Sequence, residues 1–254
     1  MNEFTMGIYW YERQLTLRQY ADISQAFIKQ LKEIHPVFQF LEWVGDRPNN
    51  AVKLASDLDN LEGLIYTHAP SKEAIYQKPD KDRTASWDSF GVAGFDMRYS
   101  TGKAVPGGRM SVWIGAGRTG MPRFANGVTI NFPSRENADF TCKEFFDYDF
   151  LKRLLLHLIA FWKPEDGRLT SYPFSEAVST SMVVVVGWLT YVRDPRATAL
   201  RNSPQLKNLI FETTPDGGTL ISLGRTPIAP DNAEQVEQAR RLRQVLIDKG
   251  LVKS

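Results

Sequence analysis

The sequence has little of what several protein classes require. Its 254 residues include a single cysteine, Cys142, so no internal disulfide forms and no C-x-x-C pair is present for zinc or redox chemistry. No apolar run approaches the roughly 20 residues of a membrane-spanning helix. The opening residues, MNEFTMGIYWYER, lack the apolar core of a signal peptide. These absences predict a cytoplasmic protein with no membrane association.

The charge of the chain is nearly balanced. A formal net charge of +2 at pH 7 argues against a surface that attracts nucleic acid as a whole, so we expect no direct nucleic-acid binding. Hydrophobic content of 43% and charged content of 24% are ordinary for a globular protein with a substantial core. We expect a single domain over residues 1–254. Any division into lobes should fall in the polar stretch of residues 70–91, because long polar connections mark function or flexibility.

Recognisable catalytic and metal-binding patterns are also absent. The three histidines, His35, His68 and His157, are far apart and fit no zinc-binding spacing. Residues 115–120, GAGRTG, match G-x-G-x-x-G, but Pro122 and a predicted strand follow where a dinucleotide site needs a helix. We therefore expect no catalysis, no metal and no cofactor. An enzyme whose site assembles from the three histidines is the alternative.

Apolar periodicity predicts a mixture of helices and strands. The strongest helix signal begins at Thr16, where T-x-x-Q forms a capping box with Gln19, and ends before Pro36. The other predicted helices cover residues 54–65, 136–162 with a break near 145–150, and 231–250, and the predicted strands cover residues 6–11, 37–44, 95–99, 109–114, 127–132, 208–212 and 219–223. This order predicts an α+β fold: a largely antiparallel mixed sheet with helices packed on one face.

The stretch of residues 181–194, SMVVVVGWLTYVRD, is predicted to lie at the centre of the sheet. Its four consecutive valines are typical of a strand buried on both faces. Gly187 within the run predicts a bulge or a close backbone approach. Trp188 and Tyr191 each carry one polar atom on a large ring, so each needs a hydrogen-bond partner if it is buried.

Three segments carry a resemblance to a known family. These are GWLTYV at residues 187–192, SYPFSEAVS at residues 171–179, and a helix that opens with D-x-x-E near the carboxyl end. Together they resemble the immunity protein 52 family, in which Gly187, Trp188, Thr190 and Tyr191 would form a structural motif. The resemblance implies a protein that binds and neutralises a cognate toxin of a polymorphic toxin system. The toxin would typically be a restriction-endonuclease-type nuclease delivered by contact-dependent or type VI secretion.

The resemblance implies inhibition by occupying a toxin surface, either over the active site or where the toxin must assemble. The sequence leaves both modes open. An adaptor protein of a secretion system is a further alternative.

Acidic residues are concentrated in one segment. Between residues 136 and 149, five carboxylates are offset only by Lys143, and a smaller patch lies near residue 57. Most charge runs are solvated helix faces, but a nuclease must present a cationic surface to phosphate, and carboxylates would complement it. We therefore expect the toxin interface to include Glu136, Asp139, Glu144, Asp147, Asp57 and Asp59.

Overall fold

The structure, a computed structural model, describes residues 4–44, 51–69, 87–88, 93–102, 109–119, 126–133, 144–180 and 184–252. These residues form ten strands and five α-helices, and six of the strand pairs are shown to be antiparallel, so the predicted α+β class is confirmed. The chain divides into two compact units, residues 9–130 (the first unit) and residues 1–8 with 131–254 (the second unit). The predicted lobe boundary at residues 70–91 lies outside the described residues except for 87–88.

The first unit has the strand order β3-β2-β4-β5-β6. Strand β1 gives its last two residues to this unit, and β6 gives all but its final residue. The elements are β1 (Phe4–Trp10), α1 (Leu17–Ile34), β2 (Glu42–Trp43), β3 (Val52–Lys53), α2 (Leu61–His68), β4 (Phe95–Ser100), β5 (Ser111–Ala116) and β6 (Asn126–Asn131).

Helix α1 begins and ends where its sequence predicts. The Thr16 hydroxyl accepts a hydrogen bond from the Gln19 backbone N–H (3.2 Å), and the Gln19 side chain accepts one from the Thr16 N–H (2.9 Å). The buried stripe includes Tyr20, whose hydroxyl donates to the carbonyl of Ile114 at 2.9 Å. This bond attaches the helix to β5 within the first unit.

The predicted strand at residues 37–44 is wrong. Pro36–Phe40 is a 3₁₀ helix, and only Glu42–Trp43 is strand. The His35 imidazole accepts a hydrogen bond from the Val37 N–H (3.1 Å), and Pro36 sets the backbone φ of the first helical position. The turn leaves Phe40 54% exposed, so the apolar alternation of this segment did not report a sheet face.

The second unit has the strand order β1-β7-β8-β10-β9. Its elements after β1 are α3 (Tyr148–Trp162), β7 (Asp166–Ser171), α4 (Tyr172–Val178), β8 (Leu189–Val192), 3₁₀ helices at Pro195–Asn202 and Pro204–Leu206, β9 (Ile210–Thr213), β10 (Thr219–Ser222) and α5 (Ala233–Asp248). Helix α3 begins at Tyr148, within the range of residues 145–150 predicted for a break, and residues 136–143 of the predicted helix lie outside the described residues. Strand β7 and helix α4 had not been predicted.

Within residues 181–194 the strand begins after the valines in the sequence. Val184 and Val186 are buried in an irregular segment, Val183 lies outside the described residues, and the strand is Leu189–Val192. The Val184 carbonyl accepts a hydrogen bond from the Arg243 guanidinium at 2.9 Å instead of from a neighbouring strand. The predicted strand at the valines is therefore wrong, and the strand of this stretch, LTYV, lies between β7 and β10.

The C-terminal helix ends as predicted at a glycine. Gly250 has a φ of +58°. Its N–H donates to Ile247 (2.9 Å), and the N–H of Leu251 donates to Leu246 (3.0 Å), the two bonds of a Schellman motif. The predicted hairpin is also confirmed as β9 and β10. No helix among the described residues is long and apolar enough to cross a membrane.

Candidate partner-binding surface

Trp188 of the family-like motif lies in the interior of the second unit. Its side chain is fully buried, and its indole N–H donates to the carbonyl of Gly224 at 2.8 Å. The ring contacts Phe4 and Tyr148, each with a centroid separation of 5.8 Å. The predicted need for a hydrogen-bond partner is met, and Trp188 packs β1 and α3 against the start of β8.

Gly187, just before β8, lies close to the backbone of β7 and is bonded to Thr190 of β8. A Cβ at Gly187 would overlap the carbonyl oxygen of Leu169 and lie 2.7 Å from its carbonyl carbon. The Gly187 N–H donates to the Thr190 hydroxyl at 3.2 Å. The close backbone approach predicted at Gly187 is therefore confirmed, and it allows the chain to pass against β7.

Tyr191 holds the turn between β9 and β10. Its hydroxyl donates to Asp216 at 2.6 Å, and Asp216 also accepts from the Thr214 hydroxyl at 2.6 Å. Burial, and then the bond to Asp216, raises the pKa of Tyr191. Burial alone would raise the pKa of Asp216, but hydrogen bonds from Thr214, Tyr191 and the Gly218 N–H outweigh it and hold that pKa below its ordinary value. All four motif residues are buried, so this motif builds the fold and presents no side chain to a partner.

The predicted interface carboxylates of the second unit lie just before α3. Glu136 and Asp139 are outside the described residues. Glu144 is half-buried in a turn at residues 144–146, and Asp147 is exposed. Asp147 caps α3, because its carboxylate accepts the Phe150 N–H at 2.8 Å. Asp147 therefore has a structural role as well as an exposed charge.

The carboxylates predicted in the first unit, Asp57 and Asp59, are both exposed in the turn before α2. Asp57 accepts the Asp59 N–H at 3.2 Å, so its carboxylate helps to fix this turn. Burial lowers the pKa of Lys32, and the charge of Asp57 opposes that shift. In the bond between Asp57 and Asp59, Asp57 uses its carboxylate, whereas Asp59 contributes only its backbone N–H.

The three histidines each have a local environment of their own. His35 caps the 3₁₀ helix, and His68 stacks on Trp43 with ring centroids 4.0 Å apart. His157 is half-buried, and burial lowers its pKa. Across the described ranges, no group of three or more His, Cys, Asp or Glu side chains is arranged to hold a metal ion.

The loop that matches G-x-G-x-x-G links two strands. Gly117 has a φ of +86°, and the side chain of Asn126 bonds to both the N–H (2.8 Å) and the carbonyl (3.2 Å) of Arg118. The next described element is β6. The Asn126 side chain therefore bonds to the backbone of Arg118 in this loop. A dinucleotide site would instead hold phosphate at the N-terminus of a helix.

Sequence reasoning missed one open cleft in the second unit. It has a volume of about 830 Å³ and lies between the end of α4 and the start of α5, where Ala177, Val236 and Glu237 are among its lining residues. The Arg240 guanidinium, also at the cleft, donates to the carbonyl of Ala177 at 2.6 Å. Tyr172 at the start of α4 is 63% exposed. The cleft carries charges of both signs, and the Arg241 guanidinium at its lining donates to the Glu237 carboxylate at 3.1 Å.

Comparison with known proteins gives two findings. The sequence model of one family, Immunity protein 52, matches residues 2–254. Among solved structures, the Pseudomonas aeruginosa T6SS protein PA0821 is similar with a TM-score of 0.50 and 19% identity, covering 98% of this chain and 73% of that one. At this identity the likeness shows the fold alone. No curated protein matches the chain.

Proposed function

The chain belongs to the immunity protein 52 family, and from this membership we propose that it binds and neutralises a cognate secreted antibacterial toxin without catalysis of its own. The single observation that carries the proposal is the family match over nearly the whole length. The structure is compatible with this proposal, because the motif residues are buried while predicted interface carboxylates are exposed. The motif side chains of Trp188 and Tyr191 point into the core, while Asp147 and Asp59 are exposed.

We further propose that the toxin is a nuclease of the restriction-endonuclease type, from a polymorphic toxin system, and that the protein acts in the cytoplasm. A nuclease must carry cationic surface to hold phosphate. Exposed carboxylates such as Asp57, Asp59 and Asp147 would draw such a surface over about 8–10 Å at ordinary salt. The fold shared with a T6SS protein fits delivery by that secretion route.

Co-expression tests the proposal. A sensitive host carrying the toxin encoded beside this chain should grow when this protein is present and should lose intact genomic DNA when it is absent. Growth arrest in the presence of well-folded protein would refute the immunity function. Rescue from a toxin that leaves DNA intact would retain immunity and refute the nuclease assignment.

Association kinetics test the carboxylate surface. Asp57→Asn with Asp59→Asn keeps the size of both side chains and removes both charges. Because exposed charges mainly set the association rate, we expect slower binding at low salt and a weaker salt dependence. Thermal unfolding of the double variant should match the wild type within about 0.5 kcal/mol. Wild-type rates at low and high salt would remove this patch from the interface.

The alternatives give different outcomes. An adaptor of a secretion system would bind a component of that machinery and would not rescue growth. An enzyme built on the three histidines would lose its activity on replacement of His157, whereas an immunity protein with that change would still rescue growth.

A further inference from the structure

Strand β9 is the edge strand of the second unit. The strand order ends at β9, which pairs only with β10 among the described strands. Its four residues lie opposite those of β10, with Thr213 facing Thr219 and Ile210 facing Ser222. One long side of β9 therefore has no neighbouring strand within the described part of the chain.

The register identifies which backbone groups point away from the sheet. The Thr214 N–H donates to the Gly218 carbonyl at 2.9 Å. Hydrogen-bonded pairs alternate with non-bonded pairs in an antiparallel ladder. The backbone groups of Glu212 in β9 therefore bond to those of Leu220 in β10. The backbone N–H and C=O groups of Phe211 and Thr213 then point outward.

The bonds on the other side of β10 agree with this assignment. The Leu223 N–H donates to Trp188 at 3.1 Å, which places the groups of Ile221 and Thr219 toward β8. The backbone N–H and C=O groups of Leu220 and Ser222 therefore point toward β9. Two independent hydrogen bonds thus give the same phase of the ladder.

Side chains of β9 make contacts on both faces of the sheet beside this edge. On one face, Thr198 bonds to Thr219 at 3.0 Å and Arg201 donates to the Thr213 hydroxyl at 3.3 Å. On the other face, Lys152 pairs with Glu212. Phe211 is half-buried and Thr213 exposed. Within the described ranges no residue bonds to the outward backbone groups of these two residues.

The edge strand of the first unit is different. The Leu54 N–H donates to Leu41 at 3.4 Å, so the groups of Lys53 in β3 point outward by the same alternation. The Asn60 side chain donates to the Lys53 carbonyl at 2.7 Å, so that this carbonyl already has a hydrogen-bond partner. Proteins commonly protect edge strands in such ways, and β9 has no equivalent cap among the described residues.

We propose that the edge of β9 accepts an extended segment of the toxin as an additional antiparallel or parallel strand, an inference that rests on the proposed function. Phe211 and Thr213 each offer one N–H and one C=O, so two residues present four groups to an incoming backbone. Ile210, 36% exposed, gives an apolar contact on one face. Arg201 on the other face favours a segment with a carboxylate opposite Thr213.

Hydrogen exchange tests the proposal without a variant. In the free protein, the amides of Phe211 and Thr213 should exchange fast and that of Glu212 slowly. On addition of the purified toxin, the first two should become protected. Unchanged exchange in a formed complex would overturn the inference. Protection that rises with protein concentration in the absence of toxin would assign the edge to a second copy and would also overturn it.

A proline pair gives a second test. Thr213→Pro removes an outward N–H and leaves the ladder to β10 intact, the position at which a strand tolerates proline. We expect toxin binding to weaken by about tenfold or more. Lys53→Pro removes an outward N–H from the edge strand of the first unit, where no toxin segment is proposed to bind, and should bind the toxin as the wild type does. Both variants should keep the wild-type circular dichroism.

The outcomes separate the two proposals. If the wild type does not bind the toxin, the proposed function fails. If the wild type binds and Thr213→Pro binds equally well, only the edge-strand inference fails. Should Thr213→Pro not fold, Ile210→Lys provides the same test, because a lysine at an edge opposes strand addition.

Discussion

The buried motif at Gly187–Tyr191 and the exposed carboxylates near Asp57 and Asp147 were both prominent in the sequence, yet they do different work. The motif side chains are fully enclosed and hydrogen-bonded within the second unit. The carboxylates lie at the surface, and one of them also caps a helix. The family motif therefore lies in the folded interior, whereas the exposed carboxylates combine a surface charge with a local structural role at Asp147 and Asp57.

The largest expected effect comes from Gly187→Ala in the buried motif. A methyl group there would overlap the Leu169 carbonyl, and both are backbone positions with little room to move. We expect a loss of about 3 kcal/mol in the free energy of unfolding, measured by urea denaturation. Gly63→Ala is the control. Gly63 lies in α2, and a Cβ added there would meet no atom within 4 Å outside its chain neighbours and the backbone of its own helix. A Gly187→Ala protein as stable as the wild type would contradict the close approach of Gly187 to the Leu169 backbone.

Tyr191→Phe should have the next largest effect. The change removes the hydroxyl that donates to Asp216 at 2.6 Å and leaves the ring in place. We expect about 1–3 kcal/mol of destabilisation, because a bond to a charged group is lost from a buried ring. Tyr172→Phe, at a side chain 63% exposed, should change the melting temperature little. Equal effects from the two variants would show that the Tyr191 bond adds nothing.

Asp216 gives a pH dependence of known sign. Its pKa in the folded protein lies below the ordinary value of 3.8. Its carboxylate therefore contributes stability above about pH 4, and this contribution is lost as the pH falls through the folded pKa. The stability difference between wild type and Asp216→Asn should be present at pH 7 and smaller at pH 3. A constant difference across that range would refute the role of the charge.

The smallest effect should come from Asp147, and here the two roles separate. Asp147→Ala removes both the helix cap and the charge, and we expect about 1 kcal/mol of destabilisation. Asp147→Ser removes the charge but keeps a capping hydroxyl, so its stability should approach the wild type. If Asp147 contacts the toxin through charge, both variants should associate more slowly. Slow association by the alanine variant alone would assign the effect to folding.

The sequence predicted elements best where the signal was local. The capping box at Thr16 and the glycine at Gly250 fix helix ends through neighbours a few residues away. The valine segment was misplaced because its backbone bonding depends on Arg243, 59 residues further along the chain. Likewise, residues 37–44 were predicted as a strand because apolar alternation does not distinguish a sheet from a short 3₁₀ helix.

The partner surface was harder to predict for a different reason. Charge content can be counted in the sequence, but the capping role of Asp147 and the turn role of Asp57 appear only with the backbone geometry. The outward groups of Phe211 belong to the backbone, so no side-chain pattern signals them. Their direction follows from the register of β9 on β10.

The membership of β1 in the two units has a consequence for biosynthesis. Residues 4–8 belong to the second unit with residues 131–254. Phe4 accepts a hydrogen bond from the Phe132 N–H at 2.8 Å, and its ring lies against Trp188. Phe132 and Trp188 follow Phe4 by more than a hundred residues, so these contacts form only after the intervening residues have been translated. Until then Phe4, which is buried in the folded protein, lacks these contacts, and an apolar side chain exposed in this way is a site at which a chaperone can bind.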